Sequence, residues 1–157
     1  MTGAHSLSQC EAVTSLVLLE VVTALLDWGV DFGAVVLTPN MTLPGLDSGQ
    51  RVTQGQVAEA TLATLASMPA ALAGVAFLSG GQEAEQASGN LAGLQRMLRL
   101  WPLTFCFGRA LAGPALAAWR GDPAAVGAGQ RALLRRVALN AAALAGRYTP
   151  ELELQRA

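Results

Sequence analysis

Hydrophobic residues fall in two alternating rhythms along this chain, a helical spacing and short unbroken runs. Val13, Leu16, Val17, Val21, Ala24 and Leu25 recur at three- and four-residue intervals, which predicts a first helix with that stripe turned inward. Ser8 with Glu11 three residues on reads as its capping box, and Gly29 as a left-handed stop. The run at residues 32–37 predicts a strand, ended where Pro39 withdraws a backbone donor. Residues 39–50, with Pro44, Gly45, Asp47 and Gly49, form a loop longer than most connections, and long loops at strand ends often carry function. Thr53 with Gln56 opens a second helix, whose inward residues are Val57, Ala60, Thr61, Leu65 and Met68 and which Pro69 halts.

The same unit then recurs. A strand at 74–78 leads through the turn Ser79-Gly80-Gly81 into a helix from about 83 to 99, with Ala84, Ala87, Leu91, Leu94 and Leu98 inward. A strand at 103–107 leads through Gly108 and Arg109 into a helix ending near Trp119. Asp122 followed by Pro123 caps a last helix that stops at Gly146, and residues 147–157 read as a loosely held tail. Helices alternating with nearly continuous apolar strands imply an α/β fold with a parallel sheet, because each crossover helix must pack back on its sheet. The expected organisation is one domain over residues 1–157, comprising a leading helix (1–29), three β/α units with a terminal helix (30–146) and the tail. Three strands cannot close a barrel, and a (β/α)₈ barrel typically takes about 250 residues. The first and third strands are therefore expected to present open edges, which favour pairing with other molecules.

Composition narrows the function classes. With 157 residues, 52% of them hydrophobic, the chain can bury a core of its own. A net charge of −1, without any basic run, gives no general attraction to phosphate polymers, so no nucleic-acid partner is expected. The most apolar stretch, residues 15–26, is broken by Glu20 and reads as too short to cross a bilayer. No membrane partner and a cytoplasmic location are therefore expected. Cys10 and Cys106 lack metal-ligand spacing and read as buried free thiols, so neither a metal nor a cofactor is expected. All ten basic residues are arginines; there is no lysine in these residues, so any mechanism that needs a lysine amine is excluded for them.

The candidate chemistry lies in the loops after the second and third strands. Gly80, Gly81 and Gly108 let backbone N–H groups approach an anion closely, both loops open helices, and Arg109 adds a planar cation. Together they make a candidate phosphate cradle. Other polar residues read more plainly. His5 belongs to a solvated helix start near a mobile terminus, Arg131, Arg135 and Arg136 form the solvated side of the last helix, and Trp28, Trp101 and Trp119 are packing residues.

Longer stretches are more specific. Residues 35–41, Val-Val-Leu-Thr-Pro-Asn-Met, followed by Leu43-Pro44-Gly45, resemble the class I fructose-bisphosphate aldolase pattern L-L-K-P-N-M-V-x-P-G. Residues 74–82, with Ala87, Asn90 and Leu91 beyond them, are similar to that family's G-V-x-F-L-S-G-G-Q segment, and residues 105–111 to its F-S-[YF]-G-R-A-L. Trp119, Asn140, Gly146 and Tyr148 stand where the family's terminal helices carry theirs. The resemblance implies a partial (β/α)₈ TIM barrel, about the last three β/α units. It implies a C1-phosphate site at Ser79, Gly80, Gly108 and Arg109, and sugar-phosphate partners, fructose 1,6-bisphosphate or dihydroxyacetone phosphate. The family's activity is reversible cleavage of fructose 1,6-bisphosphate to two triose phosphates in glycolysis. Thr38 stands at the position of the lysine that forms the Schiff base with the ketose, and threonine cannot form an imine. Cys106 replaces the usual serine, Trp101-Pro102 reverses the family's order, and Asp122 stands where lysine is common. The expectation is an aldolase homologue without an intact catalytic residue. Against it stand a non-catalytic sugar-phosphate binder, a partner of aldolase-like subunits through open sheet edges or a homo-oligomer, and a degenerate gene product.

Overall fold

The computed structural model describes residues 2–97 and 100–155, so the expected inward Leu98 and the helix end at Arg99 lie outside the described residues. Among the described residues five α-helices and three strands follow in the order α1 (Leu7–Asp27), β1 (Val36–Leu37), α2 (Gln54–Thr64), β2 (Gly74–Phe77), α3 (Ala84–Met97), β3 (Leu103–Phe105), α4 (Arg109–Trp119) and α5 (Val126–Leu144). The strands form one parallel sheet in the order β1-β2-β3, with Val36 opposite Gly74 and Phe77 opposite Phe105. All four residues of the central β2 are buried, while the outer strands are only partly covered. Side chains alternate between the two faces of a strand. On one face Val75 and Phe77 join Leu91 and Leu94 in the core. On the other, Val36 is 56% exposed, and Thr38, Thr104 and Cys106 are exposed as well. The helices thus cover one side of the sheet, and this is why Cys106 is exposed and not a buried thiol; Cys10 is half-buried on α1.

Several elements differ from the sequence reading in instructive ways. The capping box of α1 is Ser6 with Gln9, two residues earlier than expected. Residues 3–5 are held against the long loop, Gly45 N–H donating to the His5 carbonyl at 2.9 Å and Asp47 N–H to that of Gly3, so the helix can start sooner. His5 is half-buried in this pairing and its segment is anchored. The buried stripe of α1 is Leu18 and Val22 with Leu25 beside them, while Val13, Leu16, Val17 and Val21 are 40–65% exposed. A helix that is apolar nearly all round offers several stripes, and sequence spacing cannot choose among them. At 21 residues, α1 is also long and apolar enough to cross a membrane by length and composition, contrary to the reading of residues 15–26 alone. It is docked on α2, with Leu18 and Val22 in the core. The first half of the expected 32–37 strand is a 3-10 turn at Phe32–Ala34, because the Asp31 carboxylate accepts from Gly33 N at 2.8 Å. The box of Thr53 with Gln56 forms as expected, as do the positive-φ stops at Gly29 and Gly146.

The greatest departure is at the C-terminus. Arg136 does not share the solvated side with Arg131; it lies in the buried stripe of α5 with Leu139, Asn140 and Ala143. A guanidinium taken out of water needs a partner, and leaving it unpaired costs about 3–5 kcal/mol. Glu153 supplies the partner, accepting from Arg136 Nη1 with both carboxylate oxygens at 2.8 and 2.7 Å. Arg136 Nη2 reaches the Ala84 carbonyl and Ser88 Oγ, and half-buried Arg135 donates to the carbonyls of Leu152 and Glu153. The tail is therefore fastened through a short 3-10 helix at Pro150–Glu153, and Tyr148 is buried with its hydroxyl donating to Glu153 at 2.9 Å. Of the tryptophans, Trp101 is buried and donates to the Pro69 carbonyl, whereas Trp28 is 85% and Trp119 40% exposed.

Burial, and then the neighbouring Glu153, push the Tyr148 phenol well above its ordinary range. A folded-state value above the unfolded one gives stability that is complete below the unfolded value of about 10 and is lost as pH rises beyond it. Tyr148 is the only tyrosine, so phenolate absorbance reads it alone. The phenolate band is expected to appear only together with loss of structure at high pH, and Tyr148→Phe is expected to remove that part of the alkaline unfolding. A phenol that ionises near pH 10 with the fold intact contradicts this placement.

Candidate functional site

The C-terminal ends of β1 and β2 open into a cleft of about 1390 Å³. Its walls are the β1 end with Thr38 and Asn40, the Gly80-Gly81 turn, and the first turns of α1 with Cys10 and Thr14. The long loop closes it from the side, held to the N-terminal segment by the bonds at Gly45 and Asp47 and by Gln50 Oε1, which accepts from Leu7 N at 2.8 Å. Thr38 is exposed at the mouth, one residue beyond β1.

The turn after β2 has a defined geometry. Gln82 N–H donates to the Ser79 carbonyl at 3.0 Å, and the two central residues, Gly80 (φ 50°) and Gly81 (φ 80°), both sit at positive φ, where a side chain would be strained. Ser79 itself is buried and does not line the cleft, whereas Gly80 does. A second hold on this turn, to which sequence reading gave no role, comes from two buried amides. Gln82 Nε2 donates to the same Ser79 carbonyl at 2.7 Å, and Gln82 Oε1 accepts from Asn90 Nδ2 at 2.7 Å. Both residues stand in the family-like segment, but only α3's packing reveals that they face each other under the turn.

Gly108 and Arg109 follow β3. The ladder continues past Phe77 opposite Phe105 through Cys106 N–H to the Phe77 carbonyl at 2.8 Å. Neighbouring strands lie about 4.8 Å apart, so the 79–80 and 108–109 loops start side by side. Gly108 precedes α4, its carbonyl accepting from Ala112 N at 2.9 Å. Arg109 is exposed, has no salt-bridge partner among the described residues, and is not part of the cleft wall. The fold thus brings Thr38 and Gly80 to one cleft and sets Gly108 and Arg109 at the adjoining strand end. Among the described residues no cluster of three or more His, Cys, Asp or Glu side chains could hold a metal.

Comparison with known proteins gives a consistent family. A family model described as "Glycolytic: Fructose-bisphosphate aldolase class-I" matches residues 1–157. Human fructose-bisphosphate aldolase C is 42% identical over 149 residues, covering 93% of this chain and 41% of that protein. Fructose-bisphosphate aldolase B of Sparus aurata is 40% identical over 151 residues, covering 94% of this chain and 42% of its own length. Among solved structures, the Plasmodium falciparum fructose-bisphosphate aldolase, in complex with TRAP and a small-molecule inhibitor, superposes with a TM-score of 0.89 at 39% identity. It covers 94% of this chain and 43% of its own. The chain therefore spans about two fifths of the length of the relatives it matches.

The cleft's side wall generates a prediction. A Cβ added at Gly45 would collide with the Gly3 carbonyl and come within 2.9 Å of His5 Nδ1. Gly45→Ala is expected to cost about 1–3 kcal/mol and to release residues 3–7, seen as faster hydrogen exchange at the Gly45 and Asp47 amides while β2 stays protected. Unchanged exchange at both amides would show that the segment is held some other way.

Proposed function

Because the chain belongs to the class I fructose-bisphosphate aldolase family, we propose that it is a sugar-phosphate-binding relative that keeps the phosphate loops and does not cleave the sugar through an imine. The observation that carries this reading is Thr38, the residue aligned with the Schiff-base lysine, in a sequence of 157 residues that has no lysine. An imine acts as an electron sink after carbon–carbon cleavage, whereas a threonine hydroxyl offers only a hydrogen bond to the ketose carbonyl. The open parallel sheet is read as the last three β/α units of a (β/α)₈ barrel, with the loops at its C-terminal end, where sites of this fold lie.

On this reading Gly80, with Ser79 fixing its loop, offers backbone N–H to a C1-phosphate, and Gly108 and Arg109 close on it from the next strand. Charge-assisted hydrogen bonds of this kind contribute about 1.5–3 kcal/mol each. Calorimetric titration of the chain with dihydroxyacetone phosphate is expected to give saturable binding that Arg109→Ala weakens about tenfold or more. Borohydride treatment in its presence is expected to leave no covalent adduct. An adduct on any side chain, or aldol turnover free of contaminating enzyme, overturns the non-catalytic part; absence of binding overturns the rest.

The unpaired edges of β1 and β3, together with the exposed apolar face of α1, support association with further strands in a cytoplasmic assembly, either copies of this chain or aldolase-like subunits. Sedimentation velocity is expected to show species larger than the monomer. A single monomeric boundary at all concentrations removes this reading.

A further inference from the structure

We propose that Gln82 and Asn90 are positioning residues that lock the Ser79–Gly80 peptide with its N–H turned outward as an anion donor, an inference that rests on the sugar-phosphate reading above. The carbonyl of Ser79 is drawn inward by two donors of the same residue, Gln82 N at 3.0 Å and Gln82 Nε2 at 2.7 Å. Among the described residues the peptide bonds are all trans, and in a trans peptide the C=O and the following N–H point in opposite directions. Fixing the Ser79 oxygen on Gln82 therefore aims the Gly80 N–H away from that side chain, in a turn whose Gly80 borders the cleft.

The amide of Gln82 could rotate and present its oxygen to the Ser79 carbonyl instead, which would repel it. Asn90 opposes this, because its Nδ2 donates at 2.7 Å to Gln82 Oε1, and rotation of Gln82 alone would set two N–H donors against each other. The remaining N–H of Gln82 Nε2 is directed at Met41 Sδ at 3.5 Å, and Gln82 and Asn90 are 6% and 2% exposed. Two apolar side chains of the same shape would fill this space with little loss of stability. What the amides add is direction: a relay from α3 to the turn sets the orientation of a single peptide plane. Gly80 and Gly81 accept that orientation because both can hold positive φ.

The test uses the full chain labelled with ¹⁵N and titrated with inorganic phosphate, in parent, Asn90→Asp and Gln82→Met forms. Asn90→Asp is nearly isosteric, reaches the turn only through the Gln82 side chain, and replaces the donor to Gln82 with an acceptor. In the parent, phosphate is expected to shift the Gly80 amide and the Arg109 side chain together. In each variant the affinity is expected to fall about tenfold and the Gly80 shift to shrink, while the Arg109 shift persists at saturation and hydrogen exchange in β2 keeps its protection. Folded variants that bind phosphate as tightly as the parent, with the Gly80 shift intact, overturn the positioning role and leave the sugar-phosphate reading standing. A parent that shows no phosphate-dependent shift at either residue removes that reading, and this inference with it.

Discussion

Burial of β2 is the constraint from which the rest of the arrangement follows. All of Gly74–Phe77 is excluded from solvent, and backbone groups in such a place must find hydrogen-bond partners beside them. β1 and β3 provide these on either side, in parallel, so all three strands run to the same end of the sheet, β2 and β3 ending together at Phe77 and Phe105 and β1 stopping two residues earlier. Their loops then emerge as neighbours: Thr38 and Asn40 from β1, the Ser79–Gly81 turn from β2, Gly108 and Arg109 from β3. No interaction between the loops themselves is needed to gather them. The pairing of Asn40 with Leu78 extends the first ladder up to the cleft.

One side of this sheet is packed and the other is open, and the residues on the two sides differ accordingly. Val75 and Phe77 belong to the helix-covered core, whereas Val36, Thr38, Thr104 and Cys106 stand on the uncovered side. Parallel sheets are ordinarily covered on both faces. The open face, the outer edges of β1 and β3 and the apolar outer face of α1 leave apolar and backbone surface uncovered in a chain that spans about two fifths of the length of the relatives it matches. Thr38 stands on this open side, one residue past the end of β1.

Burying charge also shaped the C-terminus. Arg136 enters the core on α5 and brings Glu153, and with it the whole segment from Tyr148, back onto α3 and α5. A tail that looks like a tapering end is thereby made part of the domain.

What the sequence determined by itself was local or repetitive: the alternation of strands and helices, the capping box at Thr53 and Gln56, the glycine stops, and the turns Ser79-Gly80-Gly81 and Gly108-Arg109. These depend on backbone stereochemistry within a few residues, and the chain writes them directly. The tertiary structure decided everything that rests on a distant partner. Ser6 and not Ser8 caps α1 because the long loop holds residues 3–5 in place. Leu18 and Val22, not Val17 and Val21, face inward because α2 lies on that side. Gln82 and Asn90 control a peptide plane only because α3 sets them facing, and Arg136 is buried only because Glu153, 17 residues further on, meets it. Periodicity says that a side is apolar, but contact between elements selects which side, since that is settled by the packing energy of the assembled core.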